Sequence, residues 1–333
     1  MIILGIESSC DDSSVAIYDS KNNTFQELTK TQNIHNEYGG VVPELASRNH
    51  AIDITELLNN LFAGFDLKKL DLIAFTQGPG LSGSLMTGCA FAKSFSLSLK
   101  IPSIGINHIE AHMYSPLIEF KNLVFPFLSI VISGGHTLIS IIKDFDNYEI
   151  ISTTVDDAVG ETIDKFAKEL GLDYPYGKNL EIYASNGDEK KFKFPSPIVR
   201  SNPLNFSFSG IKTYSKNLIS HCSSETHFKN LASSFQYSVF NIIAKKTKKI
   251  SEKFKLNRIA ISGGVASNHR FREILKALFD KGSTEFFFPN SKLCTDNASM
   301  IAFLGHKKYH KLKDLDTDFT PFSKFNYFFF LLL

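Results

Sequence analysis

Apolar residues crowd positions 2–7 ("IILGIE"), polar turn formers follow in "SSCDDSS", and "VAIYD" is apolar again. That rhythm predicts strand, turn, strand. The same grammar returns near residue 125, where "FPFLSIVI" runs through "SGGHT" into "LISIIKD". Ser9 and Ser133 hold similar places in the two hairpins, so a duplicated unit is expected; the period is too long for a solenoid. "RIAISGG" followed by "VASNHRFREILKALF" reads as strand, glycine turn, helix. In "DDAVGETIDKFAKELGL", Val159, Ile163, Phe166, Ala167 and Leu170 recur at helical spacing, and Gly171 marks a C-terminal stop. Asp157, Glu161 and Asp164 lie on the other face of that helix. "SLMTGCAFAKSFSLSL" and "FKNLASSFQYSVFNIIAKKTKKI" also predict helices. Strands and helices interleave throughout, which defines an α/β class. Residues 186–210, rich in Pro, Ser, Lys and Phe, read as an irregular insertion or cover.

A chain of 333 residues exceeds one core of typical size and suits two lobes. Its 43% hydrophobic and 21% charged residues are those of an ordinary folded protein. A net charge of +2 gives no global attraction for a polyanion, so any nucleic-acid contact must come from a local patch. Cys10, Cys89, Cys222 and Cys294 are scattered and form no C-x-x-C pair, which fits a reducing cytoplasm. The opening residues lack the basic and apolar regions of a signal peptide, and no stretch approaches the ~20 apolar residues of a membrane helix. A soluble cytoplasmic chain without a membrane partner is therefore expected.

"NHIEAHMYSP", residues 107–116, sets His108 and His112 four apart. On a helix they lie about 40° apart and share a face, where two imidazoles either grip one metal ion or stand as polar surface residues. Glu110 lies about 200° from His108 and points elsewhere, unlike the glutamate of the metalloprotease H-E-x-x-H pattern. Its expected task is local, in a capping box with Asn107. "LCTDNASMIA" offers Asp296 just before an apolar helical run, as a helix N-cap or as a third ligand. Two histidines and one carboxylate with open positions suit Fe²⁺ or Zn²⁺.

"ISGGHT" and "ISGGVASN" each place two glycines at a strand end, where backbone N–H groups can approach a phosphate. "GPGLSG", residues 78–83, matches the spacing of the dinucleotide fingerprint, yet no acid occurs between Asp71 and Glu110 and Pro79 removes an N–H donor. NAD binding is excluded on that ground. The Walker Gly-Lys-Ser/Thr is also missing.

Together "GIESSCDDSSVAIYD", "YGGVVPELASRNH", "HIEAH", "VISGGHT", "DDAVGETIDKFAKELGLDYP", "FSFSGIKT", "GGVASN" and "CTDNASMIA" resemble the Gcp/YgjD family of tRNA N6-adenosine threonylcarbamoyltransferases, from about residue 2 to about residue 305. The resemblance implies an actin/Hsp70/sugar-kinase-like fold with duplicated lobes and ligand in the cleft. Expected bounds are 1–113 plus about 300–325 for the N-terminal lobe, 114–299 for the C-terminal lobe, and 326–333 for an irregular apolar tail. It further implies transfer of threonylcarbamoyl from threonylcarbamoyl-AMP to N6 of adenosine 37, in tRNAs reading codons that start with A. His108, His112 and Asp296 would then be metal ligands, with Fe²⁺ expected and Zn²⁺ the alternative. Val131, Ile132, Ser133, Gly134, Gly135, Asp164, Gly177, Glu181 and Asn268 would line the adenylate site. Asp11 would be the catalytic acid–base residue, or an acidic turn residue. Asp164 would accept from ribose hydroxyls or stand as a solvated helix-face acid, and Asn268 could instead cap its helix. A metal-less actin-like paralogue and a P-loop ATPase are the implied partner subunits.

The chain departs from the family where Tyr176, Gly177 and Lys178 replace Gly-Gly-Pro, where Glu181 replaces Asp, and in its ending "SKFNYFFFLLL". Lys245, Lys246, Lys248, Lys249, Lys253, Lys255 and Arg258 form either a tRNA-contacting cluster or a solvated helix face. The competing readings are a metalloprotease, a non-catalytic actin-like subunit and a sugar or acetate kinase.

Overall fold

The computed structural model describes residues 1–279, 282–310 and 320–324, so the expected tail at 326–333 lies outside the described residues. In chain order the strands are β1 (Ile2–Glu7), β2 (Asp12–Asp19), β3 (Thr24–Thr31), β4 (Leu72–Gly78), β5 (Ser103–Asn107), β6 (Phe127–Ile132), β7 (Thr137–Asp144), β8 (Asn147–Thr153), β9 (Arg258–Ser262) and β10 (Glu285–Phe287). The α-helices are α1 (Pro43–Leu61), α2 (Ser82–Leu99), α3 (His108–Tyr114), α4 (Pro116–Glu119), α5 (Val159–Glu169), α6 (Tyr176–Ala184), α7 (Ser209–Ile219), α8 (Glu225–Phe254), α9 (His269–Ala277), α10 (Ser291–Cys294) and α11 (Ala298–Tyr309).

The chain forms two compact units, Met1–Glu119 with Thr295–Leu333, and Phe120–Cys294. These bounds differ by a few residues from those expected at 113/114 and 299/300. The short α4 follows α3 directly, and Ala298 and Ser299, the first residues of α11, are hydrogen-bonded to β2 and β3, so both stretches belong to the first unit.

In the first unit the sheet order is β3-β2-β1-β4-β5, with β1–β2 and β2–β3 antiparallel and β1–β4 and β4–β5 parallel. In the second it is β10-β9-β6-β7-β8, with β6–β7 and β7–β8 antiparallel and β6–β9 and β9–β10 parallel. Mapped strand for strand, the two sheets share order and direction. The duplication expected from the paired hairpins is thus present in the topology.

The period of two along a strand decides what each face of the first sheet carries. Leu4 and Ile6 of β1, with Val15 and Ile17 of β2, pack against Ile54, Leu57 and Leu58 of α1 and Cys89 and Ala92 of α2. The alternate residues turn the other way: Gly5 meets Ala298 of α11, and Tyr18 meets the Phe303 ring of the same helix. Glu7, at the end of β1, therefore shares a face with Gly5 and α11. Gly5 is required by close approach, because a Cβ there would lie 2.3 Å from the Ala298 carbonyl oxygen.

The second unit has its own core, in which Leu128, Ile130 and Ile132 of β6 pack with Ile163 and Phe166 of α5 and Phe235 and Val239 of α8. Phe166 and Phe235 stack with centroids 3.8 Å apart, and each buried aromatic contributes on the order of 1.5–3 kcal/mol. Residues 186–208 of the expected irregular stretch 186–210 are irregular, while Ser209 and Gly210 already open α7; Phe192 and Phe194 anchor the stretch on that core.

Gly5→Ala should lower stability by about 1–3 kcal/mol, since backbone rather than a flexible side chain must yield. Urea unfolding measures it, and an unchanged midpoint would show that α11 does not depend on this close approach.

Candidate metal centre and glycine turn

Strand β5 runs straight into α3, and the change of direction is set by Asn107, whose Oδ1 accepts the Glu110 N–H at 3.0 Å. This is the expected N-cap. It starts the helix at His108 and puts His112 one turn on, with the rings edge to face and 4.7 Å apart. Both are buried. The Glu110 carboxylate accepts from Lys308 Nζ of α11 at 2.7 Å, off the histidine face. A metalloprotease would need that carboxylate beside the metal.

Asp296 reaches the pair across 184 residues of sequence, and the start of α11 explains how. Its first three N–H groups lack partners within the helix. Ala298 N–H donates to Ser14 Oγ at 3.0 Å, Ser299 N–H to Glu27 Oε2 at 3.0 Å, and Met300 N–H to Asn297 Oδ1 at 2.8 Å. The N-cap is therefore Asn297, and Asp296 is left free of that task. Its Oδ1 lies 3.0 Å from His112 Nε2 and 3.4 Å from His108 Nε2.

Sequence reading missed Glu7, which is fully buried. Its Oε1 accepts the Ser9 N–H at 2.6 Å, and its Oε2 lies 3.1 Å from His108 Nδ1 and accepts from the Thr76 hydroxyl. With Nδ1 turned to Glu7, Nε2 of His108 is the nitrogen that faces Asp296, 3.4 Å away. This is the carboxylate–histidine arrangement that orients metal-bound imidazoles. Burial opposes the charged forms of Glu7 and Asp296, yet the charge of His108 holds both carboxyls below their usual range. Burial likewise opposes charge on His108, but Glu7 and Asp296 raise it well above an ordinary imidazole. Burial lowers His112.

Ligand atoms of His108, His112 and Asp296 all lie within 4.8 Å of one another. Two imidazoles and one carboxylate, with an orienting acid behind one of them, fit a divalent cation that keeps open positions. Asp11 lies in the β1–β2 turn of this same unit, half-buried. Its neighbour Asp12 accepts from the Thr31 hydroxyl, and its carboxyl is raised to about 7 by burial and then by the charge of Asp296.

In the second unit, Val131 and Ile132 end β6 and Ser133–Gly135 form the turn. The turn carbonyls serve α5: Gly160 N–H donates to Ser133 O at 3.3 Å and Glu161 N–H to Gly134 O at 3.1 Å. Gly160 permits this contact, since a Cβ there would come within 2.5 Å of Ser133 O. Gly134 and Gly135 are exposed, and their N–H groups have no acceptor among the described residues. Asp164 lies on α5 and Gly177 in the first turn of α6. Asn268 caps α9, its Oδ1 accepting the Phe271 N–H at 3.0 Å. Glu181 assists there, accepting the His269 N–H at 2.7 Å. Thus α6 and α9 are tied together at the end of β9, which the sequence did not reveal.

The lysine cluster is dispersed. Lys246 turns inward to the carbonyls of Pro203 and Asn205, and burial lowers its pKa. Lys248 faces Glu252, and Arg258 donates to Val124 O. A helix spreads consecutive side chains around its axis, so a dense run in sequence is not one patch.

A duplicated five-stranded α/β unit with a two-imidazole, one-carboxylate centre defines the class, an actin/Hsp70/sugar-kinase-type fold holding a candidate metal site. HypF from T. kodakarensis has the same fold, with a TM-score of 0.63 at 15% identity over 93% of this chain and 48% of that one. This chain thus spans about half of HypF. Component A of the (R)-2-hydroxyglutaryl-CoA dehydratase of Acidaminococcus fermentans gives a TM-score of 0.53 at 14% identity, over 93% of this chain and 99% of that one. At such identities the likeness speaks for the fold alone. The family described as tRNA N6-adenosine threonylcarbamoyltransferase matches residues 23–303. The protein of that name from Wigglesworthia glossinidia brevipalpis is 44% identical over 328 residues, 96% of each chain. This chain belongs to the tRNA N6-adenosine threonylcarbamoyltransferase family. It is an acyltransferase of tRNA processing, and tRNA is its substrate. Among the described residues no helix is long and apolar enough to cross a membrane.

Glu7→Gln should weaken the affinity for Zn²⁺ or Fe²⁺ by roughly 10–100-fold, because the imidazole loses its charged orienting partner. Competition against a chelator measures it. Equal affinity in variant and parent would remove Glu7 from the metal centre.

Proposed function

We propose that the chain moves a threonylcarbamoyl group from threonylcarbamoyl-AMP to N6 of adenosine 37, in tRNAs reading codons that start with A. The observation that carries this reading is the convergence of His108, His112 and Asp296 within 4.8 Å, in a chain of this family. A kinase of the same fold class would have no use for that set.

The reaction forms a bond from N6 to the carbamoyl carbon and breaks the bond from that carbon to the AMP phosphate oxygen. One N6 proton leaves, and Asp11 is the proposed acceptor. A divalent cation, Fe²⁺ first and Zn²⁺ as the alternative, would supply Lewis-acid stabilisation of the phosphate and of the charge that develops as AMP leaves. His108, His112 and Asp296 would hold it, and Glu7 would orient the His108 ring. The exposed N–H groups of Gly134 and Gly135 are suited to a phosphate oxygen. Asp164 is assigned to the ribose hydroxyls. Val131, Ile132, Ser133, Gly177, Glu181 and Asn268 complete the proposed adenylate subsite. Because the Asn268 Oδ1 is occupied by its helix cap, its amide nitrogen is the group left for a ligand. A metal-less actin-like paralogue and a P-loop ATPase are the proposed partner subunits, and the cytoplasm is the proposed compartment.

The test is reconstitution with tRNA, threonylcarbamoyl-AMP and the partner subunits, with modified adenosine read by mass spectrometry. His112→Ala should abolish product and bound metal together, with a loss of at least about 10²-fold in rate. Undiminished product from His112→Ala would end the metal-assisted reading.

A further inference from the structure

In the second unit, the irregular segment and α8 line a cavity of about 490 Å³. One wall is a stripe of α8, where Tyr237 and Lys245 stand two turns apart on one face. The other wall is the irregular segment, with Lys190, Phe192, Lys193 and Phe194. The aromatics are held in place: Phe192 N–H donates to Ser234 Oγ at 3.1 Å, and Phe194 packs edge-on against Phe235 at 5.8 Å. The cations are unneutralised. Lys190, Lys193 and Lys245 are exposed and have no acidic partner among the described residues. The one carboxylate in the lining, Glu189, is taken by Arg270. Partly exposed rings beside unpaired ammonium groups form the combination that single-stranded nucleic acid uses, bases stacking on rings while phosphates meet lysines.

We propose that this cavity is a tRNA-docking site that receives an unpaired nucleotide of the substrate, with its flanking phosphates on Lys190, Lys193 and Lys245. The inference rests on tRNA being the substrate, and is independent of the metal centre and of the donor's identity. It explains what Lys245 does once the remainder of its run is dispersed. None of the lining residues is among those assigned to the metal or the adenylate, so the site acts on tRNA binding and leaves turnover alone.

The experiment measures tRNA affinity of the full-length chain against salt, for the parent, Lys193→Gln/Lys245→Gln, Tyr237→Leu and Tyr237→Phe, with melting curves to establish folding. The lysine pair should raise the Kd for tRNA by at least about five-fold near 100 mM salt and flatten the salt slope by about one to two units. Affinity for AMP and kcat at saturating tRNA should stay as in the parent. Tyr237→Leu should weaken binding while Tyr237→Phe restores it, the mark of stacking rather than of the hydroxyl. Should Tyr237→Leu unfold, the exposed lysine pair decides alone. Unchanged affinity and slope in the lysine pair would overturn the proposal, as would loss of stimulation by a partner protein with tRNA binding intact. A parent that binds tRNA with this lysine dependence yet yields no threonylcarbamoylated adenosine would sink the proposed reaction and leave the docking site standing.

Discussion

The docking of one helix end governs the centre. A helix N-terminus presents bare N–H groups, and here strand side chains receive two of them: Ser14 on β2 and Glu27 on β3. Asn297 takes a third. Leaving these donors unpaired in a buried place would cost on the order of 1–3 kcal/mol each. The register of α11 on the sheet is fixed by that demand, and Asp296 follows from it. Gly5 allows the approach, and strand alternation then sets Glu7 on the same face as the helix it admits.

Charge bookkeeping in that pocket is tight. Glu7 and both imidazoles are buried and Asp296 is only partly exposed beside them, an arrangement viable only when opposite charges compensate. His108 lies between the two carboxylates, Nδ1 facing Glu7 and Nε2 facing Asp296, and although burial opposes its charge these carboxylates raise its pKa well above that of an ordinary imidazole, so it is the group suited to carry the compensating charge. The centre is thus built to hold positive charge.

Much of the architecture was legible because it rests on local periodicity. Both hairpins, α5 with its stop at Gly171, and the strand–turn–helix at β9 carry patterns that short-range sterics and burial impose. Strand β3 was not legible: "TFQELTKT" is an edge strand, mostly exposed, and its polar sequence resembles a loop. The histidine pair could be read from helical spacing, while Glu7, Ser14 and Glu27 could not, since their roles depend on which strand lies beside which. One residue separated the two readings of Asp296. Sequence showed an acid at a helix start, and only the bond from Met300 to Asn297 assigns the cap to its neighbour. The lysine run failed for a different reason, because helical geometry scatters what a linear string gathers.

The first unit is discontinuous, its closing helix arriving only after Cys294. On a ribosome, both imidazoles emerge long before the carboxyl that completes their set, with an entire second unit synthesised in between. Domains generally condense as they appear. Here the earlier half must wait with an unfilled groove along β1, β2 and β4 until α11 arrives, so a nascent chain stalled before that helix holds two imidazoles without their carboxylate.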